Sequence, residues 1–524
     1  MAYADAKIAL TLLVSLVLAA LAGRLVAARY RSRMVGLMAG AAAPTTAVST
    51  VEPGLPPRAA RERTLSVAAN RRALLRLTAV LVGVSALVAL TQTAIALPLF
   101  YDVAITPLRL LVVAVAHGWP AVFAVALVWR WSAWRLLAML LGYLVLAVIL
   151  TALASTEAQS VLGLVGWIGG LAVVPALVLF ALVASPRVRA ASPYLFPLLM
   201  LLVGSSVLGL DLVAALLEGQ PGPWLMDTVA ALGAIPTLVL FVLAPWALAA
   251  WPALALGRGL ARAYRGHAFS DLLYLFGAWW LIVLLQFALT GLASVGPAAL
   301  LVLLAWLWIP VGVRLMRPAP AAAVPTLLVL RVFQRDREVG ALFDAVVHRW
   351  RASGETVLIA GTDLLSETMD VDDMFAFLAG RLHERFIAGA GDVPRALAGF
   401  DTRPDADGRY RINECHCTDH SWQAALRALV ARSDAVLMDL RGFRAANRGC
   451  VFELETLAVA AGHLGVVVLY DHQTERAVAE RATDGAPRGR FRWIDATGFD
   501  RRLAGRILQA ICEATDARAV PHAP

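Results

Sequence analysis

Long apolar runs alternate with short polar segments over the first three-fifths of the chain. Most runs are close to the 20 or so residues that a helix needs to cross the hydrocarbon core of a bilayer. This pattern predicts nine membrane-spanning helices, the first of them at 8–28. The other predicted spans are 77–100, 110–128, 136–153, 161–182, 195–217, 225–254, 272–292 and 297–315.

The pattern changes after residue 325, where short apolar runs alternate with amphipathic segments. The runs predict buried strands, and the amphipathic segments predict helices such as 372–388. Strands that alternate with helices indicate an α/β domain with a doubly wound parallel sheet. The sequence therefore predicts a transmembrane domain at 1–318 and an α/β domain at 325–524. Strands are predicted at 326–333, 356–360, 435–440, 466–470 and 491–494, with a further extended segment at 409–413.

Composition supports a polytopic membrane protein. Of the 524 residues, 60% are hydrophobic and 16% are charged, and the mean hydropathy is +0.72. This excludes an ordinary soluble protein. The net charge of +9 does not indicate nucleic acid, because much of the arginine lies between apolar segments. Lys7 is the single lysine, and such a preference for arginine is typical of a GC-rich bacterial genome.

Arginine predicts the orientation in the membrane. Arg130 and Arg135 lie in one short loop, and further arginines lie at 187–189 and 258–265, whereas the intervening loops are almost free of arginine. Because positive charge stays on the cytoplasmic side, we expect a plasma-membrane protein with the N-terminus outside and the α/β domain in the cytoplasm. The basic segment 29–76 is then a mobile cytoplasmic loop, and Arg109 is the one exception to the rule.

The segment 433–461 holds the main candidate site. It predicts a strand, a polar loop and a helix that Asn447 can cap. Ligands bind at the carboxyl ends of strands in open α/β sheets, which is where this arrangement places the acidic residue of the helix. We therefore predict a site from residues of this segment and of the loop after the second strand. The candidates are Glu453 for catalysis and Asp439, Arg441, Asn447, Cys450, Gly361 and Asp363 for ligand binding.

Two motifs in this domain resemble known families. Residues 331–336, RVFQRD, resemble the first box of TIR domains, and residues 449–454, GCVFEL, resemble their Trp-Cys-x-x-Glu-Leu segment with Gly449 in place of tryptophan. Residues 447–454 also resemble the Asp-x-Gly-Thr-x-x-Glu-Leu segment of nucleoside deoxyribosyltransferases, with Asn447 and Cys450 in place of Asp and Thr. The resemblance extends over about 326–494 and implies a flavodoxin- or TIR-like fold.

Both resemblances imply cleavage of an N-glycosidic bond, of NAD in the first family and of a nucleoside in the second. Such a reaction develops an oxocarbenium-like centre that a carboxylate stabilises or captures. Glu453 is the residue at the matching position. Its place near a helix N-terminus favours the ionised form that this role needs, and Arg441 or Arg444 could bind a phosphate.

Two other groups are weaker candidates. Cys415, Cys417 and His420 carry zinc-ligand atoms, but the usual paired ligands are missing, so we predict buried thiols and no metal site. Among the few polar groups inside the spans, Asp211 is the best candidate for an ion or proton site. The alternative for Asp211 is a carboxyl group that is hydrogen-bonded within the helix bundle.

The leading hypothesis is a membrane-anchored signalling or defence effector. Its TIR-like domain would bind NAD or a related nucleotide and, if it is an enzyme, would hydrolyse the N-glycosidic bond. Self-association would control the domain. No other cofactor is implied, and the bilayer is the remaining partner. Two alternatives stay open: a non-enzymatic TIR-like interaction or sensor module, and a transporter with a regulatory nucleotide-binding domain.

Overall fold

The computed structural model describes residues 2–39, 65–154, 160–183, 186–218, 222–316, 324–332, 340, 342–360, 371–462 and 464–519. The chain forms two compact units. The membrane unit comprises Met1–Ala28, Val80–Val313 and Asp370–Asp372. The α/β unit comprises Arg29–Ala79, Arg314–Met369 and Asp373–Pro524. The boundary predicted between 318 and 325 falls largely outside the described residues and stays a prediction.

Apolar helices build the membrane unit, as predicted, because a helix satisfies its own backbone hydrogen bonds in a bilayer. A 3-10 helix, Gly296–Leu307, leads directly into the last helix of the series. The α-helices are Ala2–Ala39, Val67–Phe100, Pro107–His117, Ala121–Val128, Ala133–Ala154, Val161–Val183, Pro186–Glu218, Pro223–Leu232, Ala234–Arg265, Asp271–Val295 and Trp308–Met316.

Seven helices in the described part of the chain are long and apolar enough to cross a membrane, against the nine spans predicted. The predicted span 110–128 is a pair, Pro107–His117 and Ala121–Val128, bent by 50° at Gly118-Trp119-Pro120. Counting that pair as one span gives eight. The predicted span 161–182 corresponds to the helix Val161–Val183. Its apolar stretch, Val161–Gly170, is shorter than the ~20 residues that a helix needs to cross a bilayer.

The prediction of a mobile loop at 29–76 is wrong at both ends. Residues 29–39 continue the first helix, in which Tyr30 and Met34 are buried. Leu65 packs against the core of the α/β unit, and its N–H donates to Asp516. The Asn70 amide donates to the carbonyl oxygen of Arg349 at 2.7 Å. The arginines at both ends of the segment suggested a polar loop. The apolar residues between those arginines are spaced as in helices, and both ends are helical. Residues 40–64 lie outside the described part.

The α/β unit is built on one sheet of seven parallel strands in the order β3-β4-β2-β1-β5-β6-β7. The prediction of a doubly wound parallel sheet is confirmed. The strands are β1 Thr326–Arg331, β2 Glu355–Ile359, β3 Phe386–Ile387, β4 Ile412–Cys417, β5 Ala435–Asp439, β6 Gly465–Tyr470 and β7 Phe491–Asp495.

Helices cover both faces of the sheet. One face carries Leu328, Val436 and Val466 and packs against the helices Trp422–Arg432 and Arg448–Ala458. The other carries Leu327, Leu437 and Val467 and packs against the final helix. This burial on both faces explains why the strands read as unbroken apolar runs. The helices are His348–Trp350 (preceded by a π-helical turn, Phe343–Val347), Val371–Leu378, Val393–Ala398, Trp422–Arg432, Arg448–Ala458, Arg476–Ala482 and Arg501–Ala519.

Two strands were not predicted. The predicted helix 372–388 ends at Leu378 and is followed by the two-residue strand β3. The extended segment predicted at 409–413 is displaced, and β4 begins at Ile412. Polar side chains interrupt the apolar pattern of β4, so its position could not be recognised from hydrophobicity alone.

Candidate functional site

The direction of chain winding reverses between β1 and β5. Strand β1 pairs with β2 on one side and with β5 on the other, and Arg331 at the end of β1 lies opposite Asp439 at the end of β5. The carboxyl ends of two such strands flank the crevice where doubly wound proteins bind ligands. Glu453 and Cys450 follow β5 in the chain, on the helix Arg448–Ala458.

The Glu453 carboxyl is buried, and its Oε2 has no hydrogen-bond partner among the described residues. Burial raises the pKa of Glu453 from 4.5 to about 8, and the positive charge of Arg331 opposes that rise. The prediction that Glu453 is ionised is therefore wrong for this structure. The helix N-terminus favours the charged form, but removal of the carboxyl group from water outweighs it.

Cys450 lies on the same side of the helix as Glu453, three residues earlier. Its Sγ is 3.9 Å from the carbonyl oxygen of Arg331, so the helix is packed against the end of β1. Burial, together with the negative charge of Glu453, raises the pKa of the Cys450 thiol. A neutral, buried thiol is a poor nucleophile, so Cys450 shapes the site and does not react in it.

Asp439 and Arg441 form a buried ion pair at the end of β5. The guanidinium Nη2 lies 2.6 Å from Oδ2, and Nε lies 2.8 Å from Oδ1. Arg441 also lies over the ring of Phe499, 5.6 Å from its centroid. The expectation that Arg441 binds a phosphate stays a prediction, and that phosphate would have to compete with Asp439.

Asn447 has a different role from the one expected. Its side chain makes no capping hydrogen bond to the helix that follows; its Oδ1 accepts from the N–H of Arg444 at 2.8 Å. Gly442, with φ +70°, turns the same loop, and its N–H donates to Asp471 at 2.9 Å. These bonds hold the loop between β5 and the helix in a fixed shape.

Other parts of the predicted site fall outside the described residues. Gly361 and Asp363 lie in the undescribed segment 361–370 after β2. Residues 333–339, which include most of the first TIR-like motif, lie in the undescribed segment after β1. Of the residues predicted from sequence, the structure brings Glu453 and Cys450 together at the switch point, with Asp439 and Arg441 at the end of the neighbouring strand.

The thiols of Cys415 and Cys417 lie in the apolar core on one face of β4, and His420 is exposed. These three residues therefore do not converge on one point, and the two thiols are buried as predicted. Burial raises the pKa of both thiols, that of Cys417 to about 12. A different group, Asp373, Glu414 and His416, does converge. The sequence offered one signal for it, which is that Glu414 and His416 are two residues apart on a strand and share a face.

In the membrane unit, Asp211 forms an ion pair with Lys7. The only lysine of the chain thus neutralises the carboxyl group that was the best candidate for an ion or proton site. This pairing favours the alternative, a carboxyl group bonded within the helix bundle. A second intramembrane group is His117, at the end of the first helix of the bent pair, whose Nδ1 lies 2.8 Å from the hydroxyl of Thr93.

The chain is thus a multi-pass membrane protein with a parallel α/β unit, and its best-formed candidate site lies at the switch point of that sheet. Comparison with protein-family models, with curated proteins and with solved structures finds no match to this chain.

Proposed function

We propose that the α/β unit is a TIR-like domain that binds NAD or a related nucleotide between β1 and β5 and cleaves its N-glycosidic bond. The observation that carries the proposal is the Glu453 carboxyl. It is buried at the switch point, and one of its oxygens has no hydrogen-bond partner in the part of the chain that is described. A buried carboxyl with a strongly perturbed pKa at the expected ligand position is typical of a functional site.

The raised pKa of Glu453 fits this chemistry if the ligand carries positive charge. With a pKa of about 8, Glu453 is mainly protonated at neutral pH in the free protein. The cationic pyridinium ring of NAD lowers the pKa of a neighbouring carboxyl, and the released proton goes to solvent. The carboxylate then stabilises the oxocarbenium-like centre as the nicotinamide–ribose bond breaks, or captures it as a glycosyl ester that water hydrolyses.

In this proposal the membrane unit anchors the domain and senses a stimulus. The N-terminus lies outside and the α/β unit lies in the cytoplasm, where NAD is available. Self-association of the TIR-like domain would control its activity. The arginine pattern supports the orientation, and the family resemblance supports the self-association.

A matched pair of variants tests the proposal on the purified full chain in nanodiscs. Glu453→Gln keeps the shape of the side chain but removes its charge, so NAD consumption should fall by about two orders of magnitude or more. Glu455→Gln changes an exposed carboxyl on the same helix and should keep the activity. Equal rates in the two variants would remove Glu453 from the mechanism.

The second candidate is a non-enzymatic interaction module. The closed ion pair between Asp439 and Arg441 favours it, because it ties up the nearest phosphate-binding group. This candidate predicts no NAD consumption by the wild-type chain at any protein density in the bilayer. It also predicts association of the α/β units that NAD leaves unchanged, measured by crosslinking.

A further inference from the structure

The side chains of Asp373, Glu414 and His416 converge in the α/β unit. Each offers one ligand atom, and these atoms all lie within 4.8 Å of one another. Asp373 and His416 are buried and Glu414 is half-buried. We propose that these three residues form a binding site for a divalent transition-metal ion, with zinc as the ion that the ligands suit best.

Two elements of the fold bring the ligands together. Asp373 lies on the helix Val371–Leu378, whereas Glu414 and His416 lie on β4. Alternation along the strand directs Glu414 and His416 to one face and the two cysteines to the apolar core on the other. The ring of Phe386, the register partner of His416 on β3, stacks on the imidazole with centroids 5.6 Å apart. The imidazole is thus held before any ion arrives.

The hydrogen bonding of His416 supports a ligand role. Its Nε2 lies 2.7 Å from Oδ2 of Asp373, and its Nδ1 is buried with no hydrogen-bond partner among the described residues. Nε2 therefore faces the Asp373 carboxylate, and an ion bound by all three residues would take the place of the proton between them, with Nε2 as its nitrogen ligand.

The ligand set selects the class of ion. Imidazole nitrogen suits zinc and other transition metals better than calcium or magnesium, and the carboxylates supply the charge that a divalent ion needs. An ion between the two carboxylates would be bound by both, in addition to the imidazole. Three protein ligands also leave a position for water, as in open zinc sites.

The site is separate from the one around Glu453. Its ligands face away from the side of β4 that carries Cys415 and Cys417, and those cysteines share their core with Cys450 and Leu454 of the Glu453 helix. A bound ion would join the helix Val371–Leu378 to β4, and it would not contact a ligand at the β1–β5 crevice. We expect it to stabilise the α/β unit.

The test is zinc titration by calorimetry on the tag-free full chain in detergent, after removal of metal with a chelator. We expect about one ion per chain, and Glu414→Gln should weaken binding by about tenfold or more. The matched control is the double variant Cys415→Ser, Cys417→Ser, which should bind zinc as the wild type does. Cobalt as a probe should give the spectrum of nitrogen and oxygen ligands without thiolate absorption.

A further variant strengthens the test. Arg385 Nε lies 3.8 Å from Oδ1 of Asp373, so its charge competes with a cation there. Arg385→Gln should therefore tighten zinc binding several-fold, which a purely structural role of the cluster does not predict. If Glu414→Gln elutes as an aggregate, Asp373→Asn replaces it. Absence of stoichiometric binding, binding that survives the ligand substitutions, or loss of binding in the cysteine variant would each overturn the proposal.

Discussion

Arg441 and Asp439 are two residues apart in the chain and form a two-point ion pair that is almost inaccessible to solvent, with side-chain exposures of 5% and 4%. Strand β5 ends at Asp439, so the ion pair lies at the carboxyl end of a strand whose other residues are apolar. A buried pair of this kind contributes little net stability as a whole, but its two halves depend strongly on each other.

The first prediction follows from this dependence. Asp439→Ala leaves the Arg441 guanidinium without its bidentate partner inside the domain, and we expect a loss of about 3–5 kcal/mol in the free energy of unfolding. This loss is measured by urea unfolding of the purified full chain, with limited proteolysis as the probe of the α/β unit. The control is Glu475→Ala, which breaks the largely exposed pair with Arg444 and should change stability by about 1 kcal/mol or less. Equal effects would mean that the Asp439–Arg441 pair is not desolvated.

The second prediction concerns the stability of the unit as a function of pH. The folded state raises the pKa of Glu453 from 4.5 to about 8, so it binds this proton more tightly than the unfolded chain does. The proton's contribution to stability is complete below about pH 4.5 and is lost as the pH rises through 8. Glu453→Gln removes the titration, so it should stabilise the unit at pH 9 relative to wild type.

Comparison of unfolding midpoints at pH 5 and pH 9 measures this effect. We expect the gain from Glu453→Gln to be larger at pH 9, on the order of a few kcal/mol, and small at pH 5. The exposed Glu455 supplies the control, since Glu455→Gln should shift neither midpoint by more than about 0.5 kcal/mol. A gain that is the same at both pH values would show that Glu453 does not titrate in this range.

The sequence predicted those parts of the fold that depend on local pattern. The unbroken apolar run of β5 identified an interior strand, and the position of Glu453 after it followed from the strand–loop–helix order. Long-range pairings could not be predicted in this way. Asp373 and His416 are 43 residues apart, and Lys7 and Asp211 are 204 residues apart. The ionisation of Glu453 was predicted wrongly because burial, which determines it, is a property of the folded unit.

The third prediction concerns the pairing of Lys7 with Asp211 in the membrane unit. Asp211→Asn removes the carboxylate that pairs with the lysine, so the variant should be less stable to heat in detergent. The double variant Lys7→Met, Asp211→Leu should recover much of the loss, with a coupling of about 0.5–3 kcal/mol between the two positions. The control Asp227→Asn changes an exposed carboxyl of the same unit and should be nearly neutral. Additive effects of the two single substitutions would contradict a direct pair.

The same pair restricts the topology of the membrane unit. Lys7 meets Asp211, and further along the first helix a Cβ atom at Gly23 would collide with the hydroxyl of Ser192. The contacts run in opposite directions along the two helices, so Ala2–Ala39 and Pro186–Glu218 are antiparallel. An even number of crossings must therefore lie between them.

Val67–Phe100 and Ala133–Ala154 are both long and apolar enough to span the membrane, and we expect them to supply two of these crossings. The bent pair Pro107–His117 and Ala121–Val128 and the helix Val161–Val183 then either both cross or both fail to cross. Three further spans follow, in Ala234–Arg265, Asp271–Leu292 and Gly296–Met316. We therefore expect seven or nine crossings, so the eight obtained by adding only the bent pair would not fit the antiparallel contact, and the two ends of the membrane unit should lie on opposite sides in both cases.

The last prediction uses this parity to test the orientation. A reporter fused after Met316 should be cytoplasmic, and a tag inserted between Glu218 and Pro223 should be external, on the side of the N-terminus.

Ser160→Cys separates the two span counts. With nine spans, residue 160 should lie on the side of the N-terminus, and with seven spans it should lie on the opposite side. The native cysteines give little background, since all four are buried. With the predicted nine spans, an impermeant maleimide should label Ser160→Cys in intact cells. Labelling only after lysis would support seven spans, and an external reporter after Met316 would reverse the orientation.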